Sequence, residues 1–175
     1  MALKPDRKIT DGTDISYFMN VTAEKGSVVI IPAAGGGSGA AMDDGSALLT
    51  LPTAAYGSGQ YPFGILLCDV VSGDLTKTHL NYHKDEVQVG GKVTVLRRGV
   101  VTTNMIDGTT ALAGKPAFIS ATATDGKLTA IALAVTTLAS QHSGVEVTNP
   151  MLTRVGTWLS NKDADGYAKL EVNLI

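Results

Sequence analysis

Two histidines stand four residues apart in His79-Leu80-Asn81-Tyr82-His83. On a helix they would share one face and could hold zinc, with Asp85 or Glu86 as third ligand. The Glu that follows the first His of a metalloprotease helix is missing, because position 80 is Leu. In an extended segment the two rings would stand roughly 13 Å apart, too far to share a metal. The flanking residues favour loop or strand, so no metal is assigned to this pair. A second cation motif, Asn161-Lys162-Asp163-Ala164-Asp165-Gly166, matches positions one, three, five and six of a calcium loop. The bidentate Glu of position twelve is absent: Val172 stands there, and Glu171 is one residue off. The reading preferred here is a hairpin turn in which Asp side chains accept backbone N–H groups and Gly166 takes a positive φ.

Nucleophilic and phosphate chemistry fare no better. There is no Gly-x-Ser-x-Gly elbow; Gly37-Ser38-Gly39 and Gly57-Ser58-Gly59 lack a strand-to-helix setting. His142, beside Ser140 and Ser143, reads as a loop histidine. The glycine run Gly35–Gly39 lacks the Lys-Ser/Thr of a phosphate loop. The expectation is therefore a protein with no catalytic residues, no metal and no cofactor.

The elements that would have positioned such chemistry read as strands. Tyr61–Val71 and Lys92–Val101 are apolar, β-branched and punctuated by glycine, and both are too short for a typical globular helix. Between them Glu86–Val89 alternates polar and apolar residues before Gly90-Gly91, which predicts a hairpin. Residues 61 to 103 are thus expected to form the inner wall of a small barrel or sandwich. Ile15–Met19, Gly26–Ile31, Ala47–Leu51 and Ala117–Ser120 read as further strands. Asp125-Gly126 predicts a hairpin turn. Thr129–Leu138 favours a strand, with an alanine-rich helix as the alternative. The closing segment alternates cleanly, with Tyr167, Lys169, Glu171 and Asn173 on one face and Ala168, Leu170, Val172 and Leu174 on the other. The loops at 33–46 and 53–60 are glycine-rich. The fold class is all-β: a small β-barrel or β-sandwich with hairpins, long glycine-rich loops and an extended N-terminal arm.

Composition bounds the function classes. The 175 residues suffice for one domain with a substantial core. Only 17% are charged and the net charge is −2, with 14 basic residues scattered along the chain. Phosphate affinity needs clustered Lys and Arg, so no nucleic acid partner is expected. The lone Cys68 excludes a disulfide within one chain and reads as a small buried hydrophobe. No apolar run approaches a membrane span, and residues 1–8 contain no apolar signal core; a soluble protein made in a cytoplasm is the expectation.

Residues 1–14 carry Lys4, Pro5, Asp6, Arg7, Lys8, Asp11 and Asp14 with only Leu3 and Ile9 as large apolar side chains. Such a segment cannot bury enough surface to fold alone, so residues 1–14 read as an extended arm and 15–175 as a single β-rich domain. Ordered against a neighbour, Lys4, Arg7 and Lys8 would pair with acidic groups while Leu3 and Ile9 filled small pockets and Pro5 stiffened the chain between them. Leu3, Lys4, Pro5, Arg7, Lys8 and Ile9 are accordingly the candidate partner-binding residues.

Three stretches then point to a family: Tyr82-His83-Lys84-Asp85-Glu86-Val87-x-Val89-Gly90-Gly91-Lys92-Val93, Arg98-Gly99-Val100-Val101-Thr102-Thr103-Asn104, and Ala113-Gly114-Lys115-Pro116-Ala117-Phe118-Ile119. Together they resemble small capsid decoration (cement) proteins of tailed bacteriophages. The opening Leu3–Arg7 with Ser16–Asn20, and the closing stretch from Val155 to Leu170, look like the two ends of such proteins. The resemblance leaves out the glycine loops near 35–60 and the segment 120–150. It implies a β-rich virion protein on the outer capsid surface. Its partners would be the major capsid protein and copies of itself, as dimer or trimer. It supplies no catalytic residues. The alternative from composition alone is a carbohydrate- or receptor-binding β-module, for which the aromatics on offer are Trp158 and five tyrosines, Tyr56 and Tyr61 among them.

Overall fold

Fourteen strands and no helix make up the described part of the chain in the computed structural model, which describes residues 3–4, 13–14, 17–31, 48–52, 61–73, 85–108, 111–120, 125–131 and 154–174. In chain order they are β1 (Leu3–Lys4), β2 (Thr13–Asp14), β3 (Phe18–Met19), β4 (Val28–Ile31), β5 (Leu48–Leu49), β6 (Tyr61–Leu66) and β7 (Asp69–Val71). They continue as β8 (Glu86–Gln88), β9 (Val95–Leu96), β10 (Arg98–Thr103), β11 (Pro116–Ile119), β12 (Leu128–Thr129), β13 (Arg154–Trp158) and β14 (Ala168–Asn173). The all-β expectation holds, but no closed barrel forms among the described residues. A six-stranded sheet runs β1-β10-β14-β13-β11-β12 and a four-stranded sheet β2-β9-β6-β4, with two small parallel pairs, β3-β5 and β7-β8.

The four-stranded sheet organises the rest, because both of its faces are dry. Successive residues of a strand point to opposite faces. Val28 and Ile30 of β4, Ile65 of β6 and Leu96 of β9 join one core, with Val101, Ile119, Trp158 and Leu170 of the six-stranded sheet. Val29, Leu66 and Val95 of the same three strands join a second core, with Met19, Leu49, Cys68 and Val70. A strand covered on both faces needs an unbroken apolar run, which is what Val28–Ile31 and Phe63–Leu66 supply. Between Val29 and Ile30 the register jumps from Gly64 to Pro62, leaving Phe63 as the extra residue of a bulge. The bulge resets the alternation, so Phe63 shares the second core with Leu66. Beside it Gly64 has no room for a side chain: a Cβ there would run into Val95 Cγ1 and the Leu96 carbonyl.

The expected inner wall over 61–103 is divided instead of continuous. The apolar run from Tyr61 breaks at Leu67-Cys68 into β6 and β7, and the second run breaks at Arg97 into β9 and β10. β9 stays in the four-stranded sheet while β10 crosses to the six-stranded one. The hairpin expected from Glu86–Gly91 into the following strand does not form. Both edges of β9 are taken, by β2 and β6, so β8 pairs in parallel with β7. The Gly90-Gly91 turn itself is present, with Gly91 N–H donating to the Gln88 carbonyl at 2.8 Å. It hands the chain to β3: Gly90 N–H donates to Met19 O at 2.9 Å and Val93 N–H to Tyr17 O at 3.0 Å.

Two turns match their sequence signals. Asp125-Gly126 joins β11 to β12 as an antiparallel pair, and Gly126 sits at φ 78°. Asp163–Gly166 joins β13 to β14, with Gly166 at φ 89°. The closing strand alternates as read, with Ala168, Leu170 and Val172 buried and Lys169, Glu171 and Asn173 exposed. Of the stretch 129–138 only Thr129–Ile131 falls within the described residues, and Thr129 is in β12.

Candidate interaction surfaces

The proposed arm touches its own domain at two places. Leu3 and Lys4 pair with Thr103 and Thr102 along the outer edge of β10, and Thr13 and Asp14 pair with Leu96 and Val95 on β9. Each ladder is two residues long. Leu3 and Lys4 thus lie against the domain by backbone pairing. Pro5, Arg7, Lys8 and Ile9 lie outside the described residues. So do His79, His83 and His142, the glycine loops 33–46 and 53–60 with Tyr56, and both Gly-Ser-Gly sequences.

The calcium-like segment is a tight turn. Asp163 accepts the Tyr167 N–H on Oδ1 at 2.7 Å and donates its own N–H to the Tyr167 carbonyl at 2.7 Å. Gly166 N–H donates to the Asp163 carbonyl at 3.1 Å. Neighbouring side chains fasten the turn to the 108–115 region: Asn161 Oδ1 accepts the Ala113 N–H at 2.9 Å, and Lys162 Nζ donates to Gly108 O at 2.8 Å. Among the described residues no group of three or more His, Cys, Asp or Glu is arranged to hold a metal.

Sequence reasoning passed over Lys25, which is the most buried cation described. Only 9% of Lys25 is exposed. Its backbone N–H donates to Asp69 Oδ1 at 2.8 Å, and its ammonium donates to Asp85 Oδ2 at 3.2 Å. The side chain therefore ties the turn before β4 to the start of β7 and the residue before β8. A lysine followed by glycine at a turn gives no hint of this, because its partners are 44 and 60 residues away. Cys68 adjoins the same place. Burial pushes its thiol pKa up, and the carboxylates of Asp69 and Asp85 push it further, against a backbone hydrogen bond at Thr94 that lowers it. Burial and the two carboxylates thus favour the neutral thiol, which packs in the second core.

Beside this cluster lies an open groove of about 500 Å³. Leu51, Val70, Val71 and Met105 supply its apolar lining, and Glu24, Asp69, Glu86, Asp125 and Lys127 its charged lining. Lys127 Nζ stands 2.8 Å from Asp125 Oδ2. That contact holds the ammonium above the usual lysine range, and Asp107 and Glu24 add to it. Ser120 Oγ donates to the Asp107 carboxylate nearby. Trp158 is wholly buried in the first core, which removes it as a platform for stacking sugars; Tyr61 is 54% exposed.

No protein-family model matches the chain, and no curated protein is significantly similar to it.

Proposed function

We propose that the protein is a structural component of a tailed-bacteriophage virion, a decoration (cement) protein on the outer capsid surface. In this reading it bridges major capsid protein subunits and stabilises the shell, with copies of itself as further partners. One observation carries the reading. Three of the segments that resemble such proteins lie in the framework of the domain: Arg98–Asn104, Ala113–Ile119 and Val155–Leu170 contribute to β10, β11, β13 and β14, four of the six strands of the larger sheet. A terminal segment attached by two short ladders also suits a clamp. Such ladders are cheap to exchange for contacts on a neighbour, and many weak contacts in a lattice add up by mass action.

The test compares capsids stripped of the protein with capsids coated by it, heated while DNA release is followed. Coated particles should hold their DNA to a higher temperature; release at the same temperature would rule out the cement role. Protein lacking residues 1–12 should occupy bare shells at least about tenfold less well than the full chain, a change needing only about 1.4 kcal/mol. Exposed Tyr61 favours one second reading, a carbohydrate- or receptor-binding module, since sugar sites use exposed aromatic rings. Glycan binding by the full chain that disappears in Tyr61→Ala would support that reading over the first.

A further inference from the structure

We propose that the rim of the second core around Arg97 and Tyr61 is a docking surface for an acidic segment of a partner protein, which places a carboxylate on the Arg97 guanidinium. The inference goes beyond the decoration reading and does not depend on it; under that reading the partner would be the major capsid protein.

The end of β9 puts Arg97 at this rim. Val95 packs into the second core, and alternation turns Arg97, two residues on, to the same side. Its guanidinium carbon stands 4.8 Å from the centre of the Phe63 ring. Phe63 in turn meets Tyr17, with 4.4 Å between ring centres and a tilt of 53°. The bulge in β6 is what sets the Phe63 ring on this side of the sheet. Tyr61 belongs to the same face, because its cross-strand partner Ile31 packs against the second core. The rim is therefore held by the sheet before any partner arrives, which lowers the cost of binding.

Charge selects the group that docks. Lys25 and Lys127 each have a carboxylate of their own within 3.2 Å. Arg97 has none: no carboxylate among the described residues forms an ion pair with it, and its half-buried side chain keeps a buried Nε without a hydrogen-bond partner. The Phe63 ring engages the charge but offers the N–H fork no oxygen. A carboxylate supplies that acceptor in the planar form that matches a guanidinium, and can take two of its N–H groups at once.

The surroundings select what carries the carboxylate. Tyr61 is 54% exposed, and Ile31 and Tyr17 are half-buried, so aromatic and aliphatic surface lies on the same face as the charge. Tyrosine and arginine together are the side chains that most often dominate protein interfaces. A peptide segment with acidic and apolar side chains would cover this surface while pairing with Arg97. A hydroxyl-rich sugar would leave the aliphatic part unmatched.

The experiment titrates the isotope-labelled full-length protein with a blocked peptide that alternates glutamate with leucine and phenylalanine, and follows the Arg97 Nε–H signal by NMR. Loss of that signal in Arg97→Lys assigns it. The acidic peptide should shift it saturably at about 50 mM salt, and binding should weaken at about 500 mM, where screening shortens the reach of charge. The same peptide with glutamine for glutamate should bind about tenfold or more weakly. Arg97→Lys, which keeps the charge but not the fork, and Tyr61→Ala should each weaken binding about tenfold, as read from backbone amide shifts. Circular dichroism checks that both variants fold. Arg98→Gln, in the exposed start of β10 on the other sheet, should leave binding unchanged. No saturable shift with the acidic peptide, an equal shift with the glutamine peptide, or equal weakening by Arg98→Gln would overturn the proposal. In that case Arg97 serves only as a cover for Phe63. Capsids play no part in these readouts, so failure here leaves the decoration reading standing. Equal DNA release by coated and stripped shells would remove that reading and leave the Arg97 surface intact.

Discussion

β14 and β4 both contribute to the core, yet they carry different sequences for a physical reason. In β14 every second residue meets water, so Ala168, Leu170 and Val172 alternate with Lys169, Glu171 and Asn173. In β4 the residues Val28, Val29 and Ile30 are all at most 1% exposed, because the four-stranded sheet has a core on each side. Period-two patterning records a boundary between protein and solvent. Where no such boundary exists the pattern vanishes, although the geometry of the strand is unchanged.

Truncation should expose this difference most strongly. Ile65→Ala and Leu66→Ala, adjacent in β6 but in different cores, should each cost about 2–5 kcal/mol. In β14 the same walk should alternate: Leu170→Ala about 2–5 kcal/mol, Glu171→Ala within about 0.5 kcal/mol. Urea midpoints of the four variants read the contrast. Two adjacent β6 variants of very unequal cost would mean that the four-stranded sheet has one dry face, not two.

A smaller effect is expected at Lys25, which joins the second core to its surface. Lys25→Ala should lose about 1–2 kcal/mol, because Asp85 loses its ammonium donor and Asp69 its nearby charge, while Asp69 keeps its backbone donor. Lys25→Met should lose as much if charge is what matters, and less if the aliphatic stem carries the effect. Equilibrium unfolding in urea separates the two. Smaller again, Gly166→Ala should cost about 1 kcal/mol, since φ 89° is unfavourable for any residue with a Cβ. Thermal unfolding at fixed pH measures it, and an unchanged midpoint would mean that the turn relaxes.

The smallest effect concerns Cys68. Its folded-state pKa is raised by burial, so the stability that its neutral thiol contributes is fully present below the ordinary thiol pKa of about 8.5. It is lost as pH rises through the higher folded-state value, because the unfolded chain releases the proton first. Stability should therefore fall more between about pH 7 and pH 10 in the wild type than in Cys68→Ala. Equal slopes would show that the thiol is not shielded.

The amino-acid sequence determined the all-β class, most strand positions, the turns at Asp125-Gly126 and Asp163–Gly166, and the two faces of β14. These are local matters, set by β-branched side chains, by glycine where φ is positive, and by alternation against solvent. Tertiary structure decided the rest. Whether Glu86–Gln88 pairs with β7 or with β9 depends on which edges are already occupied, and this is invisible in a stretch that fits either. The break at Leu67-Cys68 moves the chain between sheets without any glycine or proline to mark it. Lys25 reads as an ordinary turn lysine until Asp69 and Asp85 are folded against it. The groove assembles residues from Thr22 to Lys127, so no window of sequence contains it. Each of these depends on contacts between residues far apart in the chain, which local propensity does not encode.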